Sequence, residues 1–156
     1  MKLVTLFLDF DGVTHPLHCH ERKHFSCLAG IEAVLRECPT VEVVLSTTWR
    51  LRYELDHLRR PFSDDIRPRV VGSTPLASSP PSGPSRLDAF SRHKEVWHWM
   101  LKNRNASDRW LAIDDRPYLF RPFSDAVIEC DPRTGADEQV LARLKVRLLQ
   151  MGQTGI

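Results

Sequence analysis

Acidic side chains occur in two pairs that are far apart in the sequence, each next to an apolar stretch. Asp9 and Asp11 lie at the end of the run LVTLFLDF at residues 3–10, and Asp114 and Asp115 follow the apolar residues of WLAI. Because alternate residues of a strand point to the same side, Asp9 and Asp11 can face one site. Carboxylates that gather in one place repel each other and do not all stay ionised without a cation. Their hard oxygen atoms suit Mg²⁺, which commonly bridges to a substrate phosphate.

Two further groups lie between the acid pairs. Ser46 follows the apolar run at residues 41–45, and Lys94 lies near the start of a predicted helix. Each group alone is more often structural: the serine as a turn residue, the lysine as a solvated charge. The order acid pair, hydroxyl, lysine and acid pair favours a functional site. An anionic phosphate needs donors beyond the cation and the lysine, and Ser46, the amides near Gly12 and an arginine can supply them.

Alternating elements predict how these residues are positioned. Apolar runs predict strands, and apolar residues at helical spacing predict helices. Strands are predicted at 3–10, 41–45, 69–71, 109–113 and 126–129, and helices at 28–38, 49–58, 94–104 and from Thr134 onward. Thr134 and Asp137 have the spacing of a capping box. This alternation is typical of an α/β fold with a mainly parallel sheet. Ligands of such sheets bind outside the carboxyl ends of the strands, where these groups are predicted to lie.

Composition limits the class of protein. A chain of 156 residues is expected to form a single domain over 1–156, in which residues 72–91, rich in proline and serine, form a long surface loop. The net charge of +2 is too small to imply nucleic-acid binding by itself. No apolar run is long enough for a membrane span, so no membrane partner is expected. The four cysteines form no C-x-x-C pair, which fits a reduced, cytoplasmic protein.

The order of these motifs resembles the haloacid dehalogenase (HAD) superfamily. Its signature has an acid pair after the first strand, a hydroxyl after the second, a lysine near a later helix and a paired acid after a further strand. The motifs DFDGV and AIDD carry the resemblance over about residues 4–115. The pattern KExxxW before IDDR is similar to the phosphatase domain of polynucleotide kinases. The segment STTWR is similar to HAD domains found with RNA-repair proteins.

The resemblance implies a three-layer, Rossmann-like fold and a phosphatase that works through an aspartyl-phosphate. Asp9 would be the nucleophile and Asp11 the general acid and base. Ser46 would contact the phosphate, and Lys94 would neutralise charge on both the phosphate and Asp9. The implied cofactor is Mg²⁺. Its ligands would be Asp9, the backbone carbonyl of Asp11 and Asp115, with Asp114 as a ligand or close by.

Some assignments stay open at this stage. Thr47 is an alternative to Ser46 as the hydroxyl, and Arg92 is an alternative to Lys94. Arg50 and Arg116 are candidate substrate contacts, or surface ion pairs beside the site.

The motifs indicate the class of substrate less directly than they indicate the reaction. Residues 13–27 and 72–91 are too short for the cap domain that HAD enzymes for small metabolites often carry. An essentially capless site suits large substrates, among them phosphorylated nucleic-acid ends, although small phosphate esters remain an alternative. Partly protonated histidines are expected to line the entrance: His15, His18, His20 and His24. A zinc site there is the less favoured reading.

Two further function classes remain to be weighed against a phosphatase. One is a phosphate- or metal-binding module without turnover, and the other is a response-regulator receiver. The presence of every group needed for turnover argues against the first. The second fits poorly because receivers carry their acid pair near the N-terminus and their lysine late.

Overall fold

The structure is a computed structural model that describes residues 2–76 and 90–153. Within these ranges it contains five strands and four α-helices. The strands are β1 (Val4–Leu8), β2 (Val41–Leu45), β3 (Val70–Ser73), β4 (Arg109–Asp114) and β5 (Val127–Glu129). The helices are α1 (Leu28–Glu37), α2 (Leu55–Arg59), α3 (Ser91–Asn103) and α4 (Glu138–Gln153). The α/β class predicted from the sequence is confirmed.

All strands of the sheet are parallel, in the order β3-β2-β1-β4-β5. β1 lies at the centre, and every residue of it is buried, as expected for a strand that is apolar except for Thr5. Its last residue, Leu8, is in register with Leu45 of β2 and with Ile113 of β4. The three strands therefore end at one level, and the polar residues that follow them emerge together.

Helices cover both faces of the sheet, which gives three layers. Leu6 and Leu8 of β1 face a large apolar cluster that includes the buried faces of α1 and α4. Phe7 points to the other face and packs against α3, where its ring meets Trp99 edge-on with centroids 5.7 Å apart. The strand's alternation of side chains thus supplies both cores of the three-layer, Rossmann-like fold.

Three helix predictions differ in detail from the structure. The helix expected at 94–104 is α3, which begins earlier, at Ser91. The helix expected at 49–58 is divided into a 3₁₀ turn at Thr48–Leu51 and the short helix α2. The last helix begins at Glu138 and not at Thr134, because the Asp137 carboxylate accepts a hydrogen bond from the Val140 N–H, at 2.9 Å, and caps it. Thr134 lies in the preceding turn.

The connections to β2 and α3 leave the carboxyl edge of the sheet without a folded cap in the described residues. The segment between β1 and α1 contains only one short 3₁₀ turn, Glu21–Lys23. Of the loop predicted at 72–91, residues 72 and 73 belong to β3 and Ser91 begins α3, while residues 77–89 lie outside the described ranges. Among the described helices, none has the length and hydrophobicity to cross a membrane.

Candidate active site

The two acid pairs meet at the point where the strand order reverses. The chain runs outward from β1 through β2 to β3, then returns to place β4 on the other side of β1. Such a reversal opens a crevice at the carboxyl ends of the two central strands. Asp9 directly follows β1, Asp114 is the last residue of β4, and Asp115 comes next. The backbone N–H of Asp9 also donates to the Ile113 carbonyl, which aligns the two ends.

Three carboxylates form a compact, buried cluster. One oxygen atom from each of Asp9, Asp114 and Asp115 lies within 4.8 Å of the other two. The three residues are 3%, 1% and 8% exposed, respectively. Gly12 packs directly against this cluster. A Cβ atom there would lie 2.4 Å from Asp115 Oδ2, and the φ of +76° is itself unfavourable for other residues.

Arg92 balances part of the cluster's charge. Its Nη1 lies 3.1 Å from Asp9 Oδ2 and 2.6 Å from Asp114 Oδ2, and it also donates to the Ser46 carbonyl at 2.6 Å. Only 6% of this side chain is exposed.

The structure therefore corrects the placement of Lys94. This residue was expected beside Asp9, but it lines a separate surface cavity with Trp97 and Arg121. No described carboxylate pairs with its ammonium group. The alternative residue, Arg92, contacts the acids because it lies two positions earlier, near the start of α3.

The cluster's electrostatics fit a divalent cation. Burial raises the pKa of Asp9 well above its ordinary value, and Arg92 offsets this only in part. Burial also raises the pKa of Asp114 to about 6. With all three acids ionised, the guanidinium of Arg92 leaves two negative charges uncompensated. Asp115 Oδ1 is buried and has no hydrogen-bond partner among the described residues, as expected for an oxygen atom that awaits a ligand.

Asp11 lies beside this cluster, and its side chain is not part of it. Its Oδ1 accepts a hydrogen bond from His15 Nε2, and its Oδ2 accepts one from Trp49 Nε1, both at 2.9 Å. The Phe25 N–H donates to His15 Nδ1, so the ring proton is on Nε2. These contacts, that of His15 above all, lower the pKa of Asp11. Of the four acids that the sequence predicted as metal ligands, three thus bring their carboxylates together.

The hydroxyl beside the cluster is best assigned to Ser46. Ser46 Oγ is buried without a hydrogen-bond partner in the described part of the chain. Thr47 Oγ1, in contrast, accepts the Trp49 N–H and caps the 3₁₀ turn. Ser46 therefore has a free polar group, and Thr47 has a structural role.

Both candidate arginines lie close to the acids, in different settings. Arg50 bonds to Glu95 through Nη2 at 2.9 Å and to the Thr47 carbonyl through Nη1, while its buried Nε has no described partner. Its main role in the structure is thus an ion pair with α3. Arg116 donates its backbone N–H to Asp114 Oδ1 at 2.8 Å, which orients that carboxylate. A contact of either side chain with substrate remains a prediction.

Sequence reasoning missed several residues at this site. Trp49 holds Asp11, and Glu95 holds Arg50. His15 was predicted at the entrance, but it is buried and holds Asp11. Thr74 follows β3, the strand next to β2, and buries an unpaired hydroxyl. The sequence around Thr74 did not mark it as a site residue, because it lies between a short strand and a proline.

The comparison with known families agrees with this geometry. The family model described as the HAD domain in Swiss Army Knife RNA repair proteins matches residues 5–141. The chain belongs to this family. The match covers most of the chain, from the second residue of β1 to beyond β5, so the HAD resemblance seen in the motifs is confirmed. No curated protein and no solved structure matches the chain.

Membership of this family bears on the class of protein. A HAD domain of this family indicates a phosphatase-type hydrolase. HAD domains generally use Mg²⁺, and the buried cluster of Asp9, Asp114 and Asp115 could bind such an ion.

Proposed function

We propose that this HAD domain is a Mg²⁺-dependent phosphomonoester hydrolase that works through an aspartyl-phosphate on Asp9. The main support is the position of Asp9, buried at the switch point between β1 and β4 with two further acids and Arg92 around it. A carboxylate in that position can face a phosphate only if its negative charge is shielded.

The cation would be held by Asp9, Asp115 and the backbone carbonyl of Asp11, with Asp114 as a ligand or close by. The unpaired Asp115 Oδ1 and the excess of two negative charges support this assignment. When bound, Mg²⁺ supplies shielding between the nucleophile and the phosphate and stabilises charge on the phosphoryl oxygens.

Asp9 attacks phosphorus, the ester P–O bond breaks, and Asp11 donates a proton to the leaving oxygen. Water then attacks phosphorus and loses its proton to Asp11, and the bond between phosphorus and Asp9 breaks to release phosphate. The hydrogen bonds from His15 and Trp49 lower the pKa of Asp11. They favour the ionised form, which accepts the proton in the second step, over the protonated form, which donates it in the first. Ser46 donates its hydroxyl to a phosphoryl oxygen, and the Arg92 guanidinium favours the ionised form of Asp9, which burial disfavours.

The substrates are phosphorylated nucleic-acid ends, among them 3′-phosphates. Two observations favour them. The family model names RNA-repair proteins, and the described residues at the carboxyl edge form no folded cap. A small-metabolite phosphatase and a binding module without turnover are the alternatives. The proposed working place is the cytoplasm.

The test compares Asp9→Asn with a matched control, Asp56→Asn, whose side chain is exposed in α2. We expect Asp9→Asn to lose hydrolysis of p-nitrophenyl phosphate while its circular dichroism stays that of the wild type, and the control to keep the activity. Wild-type activity should disappear in a chelator and return with Mg²⁺. Turnover by Asp9→Asn would contradict the nucleophile, and activity in the chelator would contradict the metal.

The substrate class needs its own measurement. We expect a higher kcat/KM for an oligonucleotide with a 3′-phosphate than for a free sugar phosphate. The reverse preference would favour a metabolic role. Absence of turnover with every phosphomonoester, despite Mg²⁺ binding, would favour the binding module.

A further inference from the structure

A cavity opens directly beside Asp11, on the side of β2. It measures about 440 Å³, and its walls include Asp11, His24, Trp49, Arg52 and Tyr53. We call it the Asp11 cavity. Asp11 is its only acidic wall residue in the described part of the chain.

The reaction geometry of the proposed function places the leaving group near Asp11, and therefore near this cavity. An inference about the cavity thus rests on the proposed function. In an in-line displacement the leaving oxygen lies on the side of phosphorus opposite the nucleophile Asp9. Asp11 must reach that oxygen to protonate it. Because Asp11 lines the cavity, a group attached to the leaving oxygen would extend into it.

The wall of the cavity includes aromatic side chains, whose chemistry suits a flat ring. Tyr53 stacks on His57 with centroids 4.5 Å apart and planes at 11°, and Tyr53 is still 43% exposed. Trp49 lies next to Tyr53, with ring centroids 6.2 Å apart. An existing stack with an exposed aromatic ring is a platform on which a nucleobase can be added, because every base has a π-face.

The charged side chains beside the cavity also favour a nucleotide as its ligand. Arg52 is exposed, and no described carboxylate pairs with its guanidinium. His24 adds a second group that can carry positive charge. A cation beside an aromatic platform suits the phosphodiester that precedes a terminal nucleoside.

We propose that the Asp11 cavity binds the terminal nucleoside of a phosphorylated single-stranded nucleic acid, with its base against Tyr53 and the next phosphodiester near Arg52. Trp49 connects this site to the chemistry, because it lines the cavity and donates its Nε1–H to Asp11.

A second cavity is the alternative binding site for the nucleic-acid strand. It measures about 360 Å³ and is lined by residues that include Lys94, Trp97 and Arg121. It too combines aromatic rings with cations, but none of the acids that perform the chemistry lines it. Trp97 is exposed and has no part in the proposed reaction, so Trp97→Ala is the matched control for Tyr53→Ala.

The experiment measures kcat/KM for a 3′-phosphorylated hexanucleotide and for glycerol phosphate, and takes their ratio. We expect Tyr53→Ala to lower this ratio about tenfold or more, the effect of losing one base stack. Tyr53→Phe keeps the ring and should restore the ratio, and Trp97→Ala should not change it. A fall in the ratio for Trp97→Ala but not for Tyr53→Ala would overturn the proposal and place the strand on α3.

Binding separates this inference from the proposed function. In the Asp9→Asn background, fluorescence anisotropy of a labelled 3′-phosphorylated hexanucleotide should show a Kd about tenfold higher with Tyr53→Ala. Arg52→Ala should reduce the slope of log Kd against log salt by about 0.7, the value for one lost contact to single-stranded phosphate. An unchanged Kd for Tyr53→Ala would refute the cavity assignment, whether or not the wild type turns over. If the wild type hydrolyses no substrate but Tyr53→Ala still weakens binding, only the proposed hydrolase activity would be refuted.

Discussion

Replacing Arg92 tests the electrostatic balance at the centre of the site. The Arg92 guanidinium contacts Asp9 at 3.1 Å, Asp114 at 2.6 Å and the Ser46 carbonyl at 2.6 Å. Arg92→Met keeps much of the side-chain volume and removes the charge. It leaves a buried cluster of three carboxylates without the cation that contacts two of them in the described structure.

The expected cost is that of breaking a buried ion pair from one side, about 3–5 kcal/mol of unfolding free energy in a chelator. For a chain of this length, this corresponds to a fall in Tm of about 6–20 °C. Lys94→Met is the matched control, since Lys94 lies two residues away and contacts none of these acids in the described structure. Its expected cost is within about 0.5 kcal/mol.

Urea denaturation followed by tryptophan fluorescence, with EDTA present, measures both values. Mg²⁺ should then stabilise Arg92→Met more than it stabilises the wild type, because the ion meets one more uncompensated negative charge. Equal losses for the two variants would refute the charge balance described here. A larger loss of unfolding free energy for Lys94→Met than for Arg92→Met would favour the position beside Asp9 that the sequence suggested for Lys94.

Three further outcomes follow from the site and its supports. At a concentration of one hundred times its Kd, Mg²⁺ should add about 2.7 kcal/mol to the wild type in thermal unfolding, and Asp115→Asn should lose most of this gain. Gly12→Ala should cost about 2 kcal/mol or more in urea denaturation and weaken Mg²⁺ binding in calorimetry, because the new Cβ meets the Asp115 carboxylate. Asp137→Ala should cost about 1 kcal/mol in the same urea assay as a lost helix cap. A larger cost for Thr134→Ala would contradict the start of α4.

Strong local patterns made most of the fold predictable. β2 was predicted with the bounds that the structure has, because Thr40 and Ser46 enclose a run that is apolar except for Glu42. β1 and β4 were placed within a few residues for the same reason. The start of α4 was missed since two residues, Thr134 and Asp137, have side chains that can cap a helix. Only the fold selects between them, by making Gly135 part of a turn with a φ of +70°.

The order of the chemical groups also came from local patterns. The sequence shows acids at the ends of apolar strands and a hydroxyl after another strand. These groups could be predicted to meet because the carboxyl ends of parallel strands lie at one edge of the sheet. Lys94 and Arg92 lie on the same helix, and which of them reaches the acids depends on the rotation of α3 against the sheet. Sequence spacing does not fix that rotation, whereas the packing of Trp99 on Phe7 does.

The sequence alone therefore determined the fold class, the family and the two acid pairs, since each depends on short segments whose neighbours in the chain set their structure. The tertiary structure decided which charge faces Asp9, which hydroxyl is free, and what holds Asp11. Trp49 is 38 residues from Asp11 in the chain, and Arg92 is 22 from Asp114. Contacts over such separations arise only when the sheet and its helices pack together.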